Sequence, residues 1–214
     1  MRFYLTSTRT FEIERASELG FVHGVVVPRE DVVDSGRNYE ALLQDCSRFS
    51  FPFVGIEATA LDSVALTRES QRMSAVLGDS LTFLMPMTLE SVKTVAGFKK
   101  VGLSGGIKLV SSTVQALVAA RAGADYVCIS AKLLGSIGIP IGPLITEVKE
   151  LYHTAGLSTR VLVEDIQDVA QVSMVASAHA DGVVCSWHHL QGLAYHPLTD
   201  QGIGRTLSDW GAST

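Results

Sequence analysis

The sequence predicts an α/β protein of the (β/α)8 TIM-barrel class, one domain spanning residues 1–214. Three observations predict it. Eight short apolar runs alternate with stretches whose apolar residues recur at helical spacing, and no low-complexity linker or composition shift interrupts the series. The runs are continuously apolar, as strands covered on both faces are in a parallel sheet. The first run is followed by STRTFE, nothing like the Gly-rich phosphate loop that a doubly wound open sheet wants there. A chain of 214 residues, 47% of them hydrophobic, can bury such a core undivided.

RFYLTS (2–7) reads as the first strand, and TFEIERASELG as an amphipathic helix with Thr10 as N-cap, Glu12 in its first turn and Gly20 as its stop. GVVVP (24–28) is the second strand. A helix around NYEALLQDCSRF leads to FVGIEA (53–58), and SVALTRESQRMSAVLG is helical before LTFLMP (81–86). LESVKTVAGFKKVG is the next helix and GGIKLV (105–110) the fifth strand. STVQALVAARAG is a helix stopped by Gly123, and YVCIS (126–130) is the sixth strand, completing a right-handed parallel βαβ unit. PIGPLITEVKELYHTAG ends at Gly156, TRVLVED (159–165) is the seventh strand, and a helix around IQDVAQVSMVASAH precedes GVVCSW (182–187), the eighth. The close, HHLQGLAYHPLTDQGIGRTLSDW, reads as a short helix, a break at Pro197 and a terminal helix capped by Thr199 or Asp200.

Composition narrows the function classes. The formal charge is −5, and scattered Lys and Arg give no basic stripe for nucleic acid or an anionic membrane. Cys46, Cys128 and Cys185 are an odd number without metal-ligand spacing, which points to a reduced intracellular compartment. MRFYLTS lacks a basic region followed by a long apolar one, and no apolar run approaches the roughly 18 residues that span a bilayer. A soluble, cytoplasmic protein is expected, with no metal and no cofactor.

In a barrel the site lies at the C-terminal ends of the strands, which selects Thr6, Val27, Glu57, Leu84, Lys108, Ser130, Glu164, Asp165 and Ser186. Lys108 stands out as a charge in an otherwise apolar run. Two readings of it stand open: a reactive amine, or a side chain that snorkels from the barrel mouth and pairs with Glu57 or Asp165. Glu57 is expected to point inward, two residues after Gly55. Asp165 is read either as a site residue that would repel phosphate or as the N-cap of the IQDVAQ helix. Trp187, His188 and His189 follow the eighth strand, where an aromatic ring and imidazoles serve a substrate or simply begin a helix. GSIGIPIGP (135–143) is expected to be a barrel-mouth loop, and the cysteines small core residues.

The order of motifs resembles the small transaldolase family, which includes the fructose-6-phosphate aldolases. HPLTDQGIGRTLSDW (196–210) is similar to that family's terminal helix, and AGADYV (122–127), ELGFVHGV (18–25) and MPMT (85–88) fall where the family has related strings. The resemblance implies the barrel fold, a homo-oligomer, and imine chemistry on a fourth-strand lysine in a VKxP string. Here that string is FLMP, which puts Leu84 at the lysine. Thr6 falls at the family's first-strand Asp, Val27 at its second-strand Asn and Leu133 at its Arg. Asp165 and Gln167 fall at its phosphate-holding pair. The resemblance gives Thr at the fifth-strand position occupied by Lys108.

The expectation is therefore a divergent Schiff-base lyase or transferase acting on a small, non-phosphorylated carbonyl compound. Lys108 would be the relocated nucleophile, in a pocket of Val27, Leu84 and Met85 that lowers its pKa, with Glu57, Asp165 or Glu164 moving protons. Thr6, Ser130, Ser186 and Trp187 would contact substrate. The alternative is a catalytically silent barrel that binds a small ligand or a partner protein.

Overall fold

The computed structural model describes residues 1–36 and 39–211. Along them run β1 (Arg2–Thr6), α1 (Thr10–Glu18), β2 (Val22–Val27), α2 (Arg29–Ser35), α3 (Tyr39–Arg48), β3 (Phe53–Glu57), α4 (Ser63–Leu77), β4 (Leu81–Pro86), α5 (Leu89–Phe98), β5 (Ser104–Lys108), α6 (Thr113–Ala122), β6 (Tyr126–Ser130), α7 (Ala131–Ser136), α8 (Ile141–Thr154), β7 (Arg160–Glu164), α9 (Val169–Ser177), β8 (Gly182–Ser186), α10 (Trp187–Gly192) and α11 (Pro197–Gly211). The eight strands pair in sequence order, all parallel, and β8 pairs with β1 to close the barrel that the alternating pattern predicts.

Side chains alternate along each strand between the barrel interior and the layer shared with the helices. Interior positions stack in layers of four drawn in turn from odd and even strands. The N-terminal end holds Arg2, Phe53, Ser104 and Arg160. Above them come Gly24, Thr82, Tyr126 and Gly182; then Tyr4, Gly55, Gly106 and Leu162; then Val26, Leu84, Cys128 and Val184. Thr6, Glu57, Lys108 and Glu164 form the odd-strand layer at the C-terminal mouth. The small members make room for the large ones: a Cβ on Gly182 would meet Tyr4 Cε2 at 2.5 Å and Leu162 Cδ2 at 2.7 Å. Gly182→Ala is therefore expected to destabilise the protein by about 1–3 kcal/mol, read as a lower urea midpoint with unchanged slope.

The same alternation corrects one expectation. Val27 and Met85 are buried with the outer cluster between barrel and helices, whereas their neighbours Val26 and Leu84 take the inward positions. Adjacent strand residues cannot both face the axis, so neither Val27 nor Met85 lines the mouth.

Several helix ends also differ from expectation. Thr10 is the first residue of α1, after an N-cap, Arg9, that makes no side-chain cap bond; the Thr10 hydroxyl instead donates to Asp45 at 2.7 Å. Helix α1 ends at Glu18 rather than at Gly20. Thr199 and Asp200 lie inside α11, which begins at Pro197, because proline suits a first helical position whose N–H has no intrahelical partner. REDVVDS forms α2, with Glu30 and Asp31 in its first turn and a left-handed Gly36 as its stop. The Gly/Pro stretch is mostly helical, and only residues 137–140 link α7 to α8.

Candidate active site

Lys108 ends β5 at the barrel mouth with its side chain 15% exposed, and its ammonium meets two carboxylates. It donates to Glu57 Oε1 and lies 3.1 Å from Glu164 Oε2. The three come from β3, β5 and β7, alternate strands of one interior layer, so closing the barrel brings them together although 51 and 56 residues separate them along the chain. The second oxygen of Glu57 accepts from the Arg29 N–H, 3.2 Å away at the start of α2.

Strain sits just past the two strand ends that carry Lys108 and Glu164. Leu109, directly after Lys108, has φ 60°, and Asp165, directly after Glu164, has φ 57°. Non-glycine residues in this region cost about 1–2 kcal/mol, and such outliers cluster at functional sites. The turn at Asp165 sends its carboxylate to Ser130, whose hydroxyl donates to it at 2.5 Å. Ser130 also caps α7, accepting from Leu133 N–H at 3.1 Å.

The pairing expected with Glu57 or Asp165 is thus made with Glu57 and Glu164. The N-cap role considered for Asp165 falls to Asp168, which accepts from Gln171 N–H at 2.8 Å at the start of α9.

Burial disfavours the ammonium of Lys108, but the attraction of Glu164 and Glu57 outweighs it, and the pKa is raised above the ordinary lysine value. The expected lowering assumed a hydrocarbon pocket, and the carboxylates reverse it. Glu164 is pushed up to about 7, chiefly by burial, with repulsion from Asp165 and Glu57 working against the pull of Lys108. Burial also holds Cys128 and Cys185 as thiols, consistent with their reading as core residues.

A cavity of about 590 Å³ opens above this cluster, with Thr6, Glu57, Leu84, Lys108, Glu164 and Asp165 among its walls. Two cations on its rim, Arg29 and Lys132, were not singled out in the sequence. The signals were there: Arg29 follows Pro28 just past the second strand, and Lys132 precedes Leu133, where the resemblance places an arginine. Around the cavity Arg29, Lys108 and Lys132 face Glu30, Asp31, Glu57, Glu164 and Asp165, three cations against five acidic groups.

Ser186 and Trp187 line an adjoining cavity of about 840 Å³ that shares Thr6 and Asp31 with the first. Trp187 does begin a helix, α10, which Ser186 caps by accepting from His189 N–H. Lys108 occupies the space between the mouth carboxylates, so a metal bound there would have to displace it. Among the described residues no group of three or more His, Cys, Asp and Glu side chains could hold a metal ion.

No protein-family model matches the chain. Curated relatives match it almost end to end. A probable transaldolase of Methanococcus maripaludis is 34% identical over 213 residues, covering 99% of this chain and 98% of the relative. Another from Halalkalibacterium halodurans is 31% identical over 210 residues, 98% of this chain and 99% of the relative. The chain belongs to the transaldolase family. A third relative, from Desulfitobacterium hafniense, is 33% identical over 210 residues and also named a probable transaldolase. Within this transaldolase-family barrel the fourth-strand position that the resemblance assigns to the lysine holds Leu84, 1% exposed and packed in the interior cluster. Among the described residues, the one lysine in an interior layer is Lys108, on the next strand.

Proposed function

We propose that the protein is a divergent transaldolase-like lyase or transferase that forms an imine between Lys108 and a small, non-phosphorylated carbonyl compound. The observation that carries this reading is a lysine joined to two carboxylates beneath an open cavity, one carboxylate titrating near neutrality. A raised lysine pKa slows release of the free amine. It does not oppose the iminium, which places the same charge on the same nitrogen beside the same carboxylates.

The protons balance within the cluster. Lys108 lends a proton to Glu164, the neutral amine adds to the carbonyl carbon, and the nitrogen's proton passes to the new oxygen. Glu164 then protonates that hydroxyl, which leaves as water, so an iminium and a carboxylate remain. Glu57, oriented by the Arg29 N–H, stands on the other side of Lys108 to take the hydroxyl proton when a carbon–carbon bond breaks. The excess of acidic groups around the cavity favours a neutral substrate over a phosphorylated one.

The test is borohydride reduction with dihydroxyacetone, glycolaldehyde and pyruvate in turn, read by intact mass. One adduct per chain with at least one of them is expected. A protein unmodified by all three carries the second reading, a silent ligand-binding barrel, which the complete ion pairing of Lys108 favours.

The homo-oligomer implied by the resemblance has a ready element in α11. Every residue of it with described burial is exposed, and Ile203, Leu207 and Trp210 recur at i, i+4 and i+7 to form an apolar stripe. In sedimentation, Ile203→Asp with Leu207→Asp should convert the assembly to a smaller species. An unchanged mass would remove α11 from the interface.

A further inference from the structure

The N-terminal end of the barrel gathers cations that the proposed chemistry does not use. Arg2 on β1 and Arg160 on β7 belong to the lowest interior layer, and they flank β8, whose first interior position is Gly182. Among the described residues neither guanidinium has a carboxylate partner. Arg2 donates to His23 Nε2 at 3.1 Å, and Arg160 donates to the Tyr126 hydroxyl at 2.8 Å. His23 is kept from protonating by burial and by the two guanidinium charges. A cavity of about 380 Å³ lies between the arginines, bordered also by His179 and Asp181. The Asp181 charge is already engaged: it accepts from Lys149 at 2.7 and 2.8 Å and from the Val161 N–H at 2.7 Å.

The Tyr4 hydroxyl is buried and makes no well-formed hydrogen bond among the described residues, although nearly every buried polar group in a protein has one. Its ring lies over Gly182, and the guanidinium of Arg2 is the donor nearest the hydroxyl, with Arg160 and Tyr126 close enough to act on its charge. Tyr126 accepts from Arg160, which leaves its own O–H as a donor. In a chain of net charge −5, two arginines without acid partners among the described residues line one cavity, and the Tyr126 and Tyr4 hydroxyls lie against those arginines.

We propose that this end of the barrel is a second binding site, for a phosphate group, clasped by Arg2 and Arg160 with the Tyr126 and Tyr4 hydroxyls behind them. Two guanidinium forks match the charge and the several oxygens of a phosphate dianion better than those of a single carboxylate. The site lies at the opposite end of the barrel from Lys108 and stands independently of the imine reading.

Calorimetric titration of the full chain at low ionic strength with inorganic phosphate and, separately, glycerol 3-phosphate tests it. Binding tighter than about 10 mM is expected for at least one of them, the stronger indicating a free or an esterified ligand. Arg2→Gln and Arg160→Gln should each weaken it about tenfold or more, while Lys132→Ala at the other mouth leaves it unchanged. Tyr4→Phe should raise the melting temperature without phosphate and weaken phosphate binding, a pair of effects that simple misfolding would not give. Binding that survives both arginine substitutions, binding lost in Lys132→Ala, or no binding of either compound would overturn the proposal.

Discussion

Replacing Lys108 with methionine is expected to abolish imine trapping and turnover and to destabilise the protein by about 2–4 kcal/mol at pH 8. The variant keeps the Glu57 and Glu164 carboxylates, 18% and 6% exposed, without the ammonium that lies between them. Water screens Glu57 in part, so the loss should fall below that of a fully buried pair. The penalty should shrink at pH 5. Losing the cation raises the Glu164 pKa further, and a carboxyl that has taken up a proton no longer carries an unpaired charge. Because the folded-state pKa of Lys108 lies above the unfolded value, its stabilisation in the native protein is fully present below about pH 10.4 and is lost as pH rises through the folded pKa. Urea unfolding at pH 5 and 8 checks the first two statements and a series rising from about pH 10 checks the third, with turnover measured well below the melting temperature so that unfolding does not mimic lost chemistry.

Glu164→Gln is expected to remove a pH dependence rather than simply lower stability. A carboxyl whose pKa rises to about 7 on folding binds more protons in the native state than in the unfolded one. Its stabilising contribution is therefore present below the unfolded value of about 4.3 and disappears as pH rises to 7, the reverse of the usual carboxylate. Native stability should fall across that window by on the order of 3 kcal/mol, and the glutamine variant should give a flatter profile. In the proposed chemistry the ionised form receives the lysine proton, so the rate of imine formation should rise through pH 7. The variant should lose that limb and about 10²-fold or more in rate. A variant whose profile still rises through pH 7 would show that another group carries the proton.

The barrel was legible because covering a parallel sheet on both faces leaves long apolar runs, and helices must alternate with them. Lys108 was legible for the same reason, as a charge in such a run. Its partners were harder to name. Glu57 and Glu164 are both visible at strand ends, but their meeting depends on interior layers drawn from alternate strands, a rule that counts positions across the whole barrel. Counted that way, Thr6, Glu57, Lys108 and Glu164 fall together, and Val27 and Met85 drop out. The pairing and N-cap readings of Asp165 failed because its orientation follows from a left-handed backbone that no residue type announces. The pKa of Lys108 was misjudged for a related reason: apolar neighbours in sequence suggested a dry pocket, whereas the nearest atoms in space are carboxylate oxygens.

The central claim is that imine chemistry has moved from the fourth strand to the fifth. Peptide mass mapping of the protein after borohydride trapping addresses it most directly. The account predicts a single reduced adduct confined to the peptide carrying Lys108. Label spread over Lys93, Lys99, Lys100 and Lys149, with Lys108 unmodified, would contradict it.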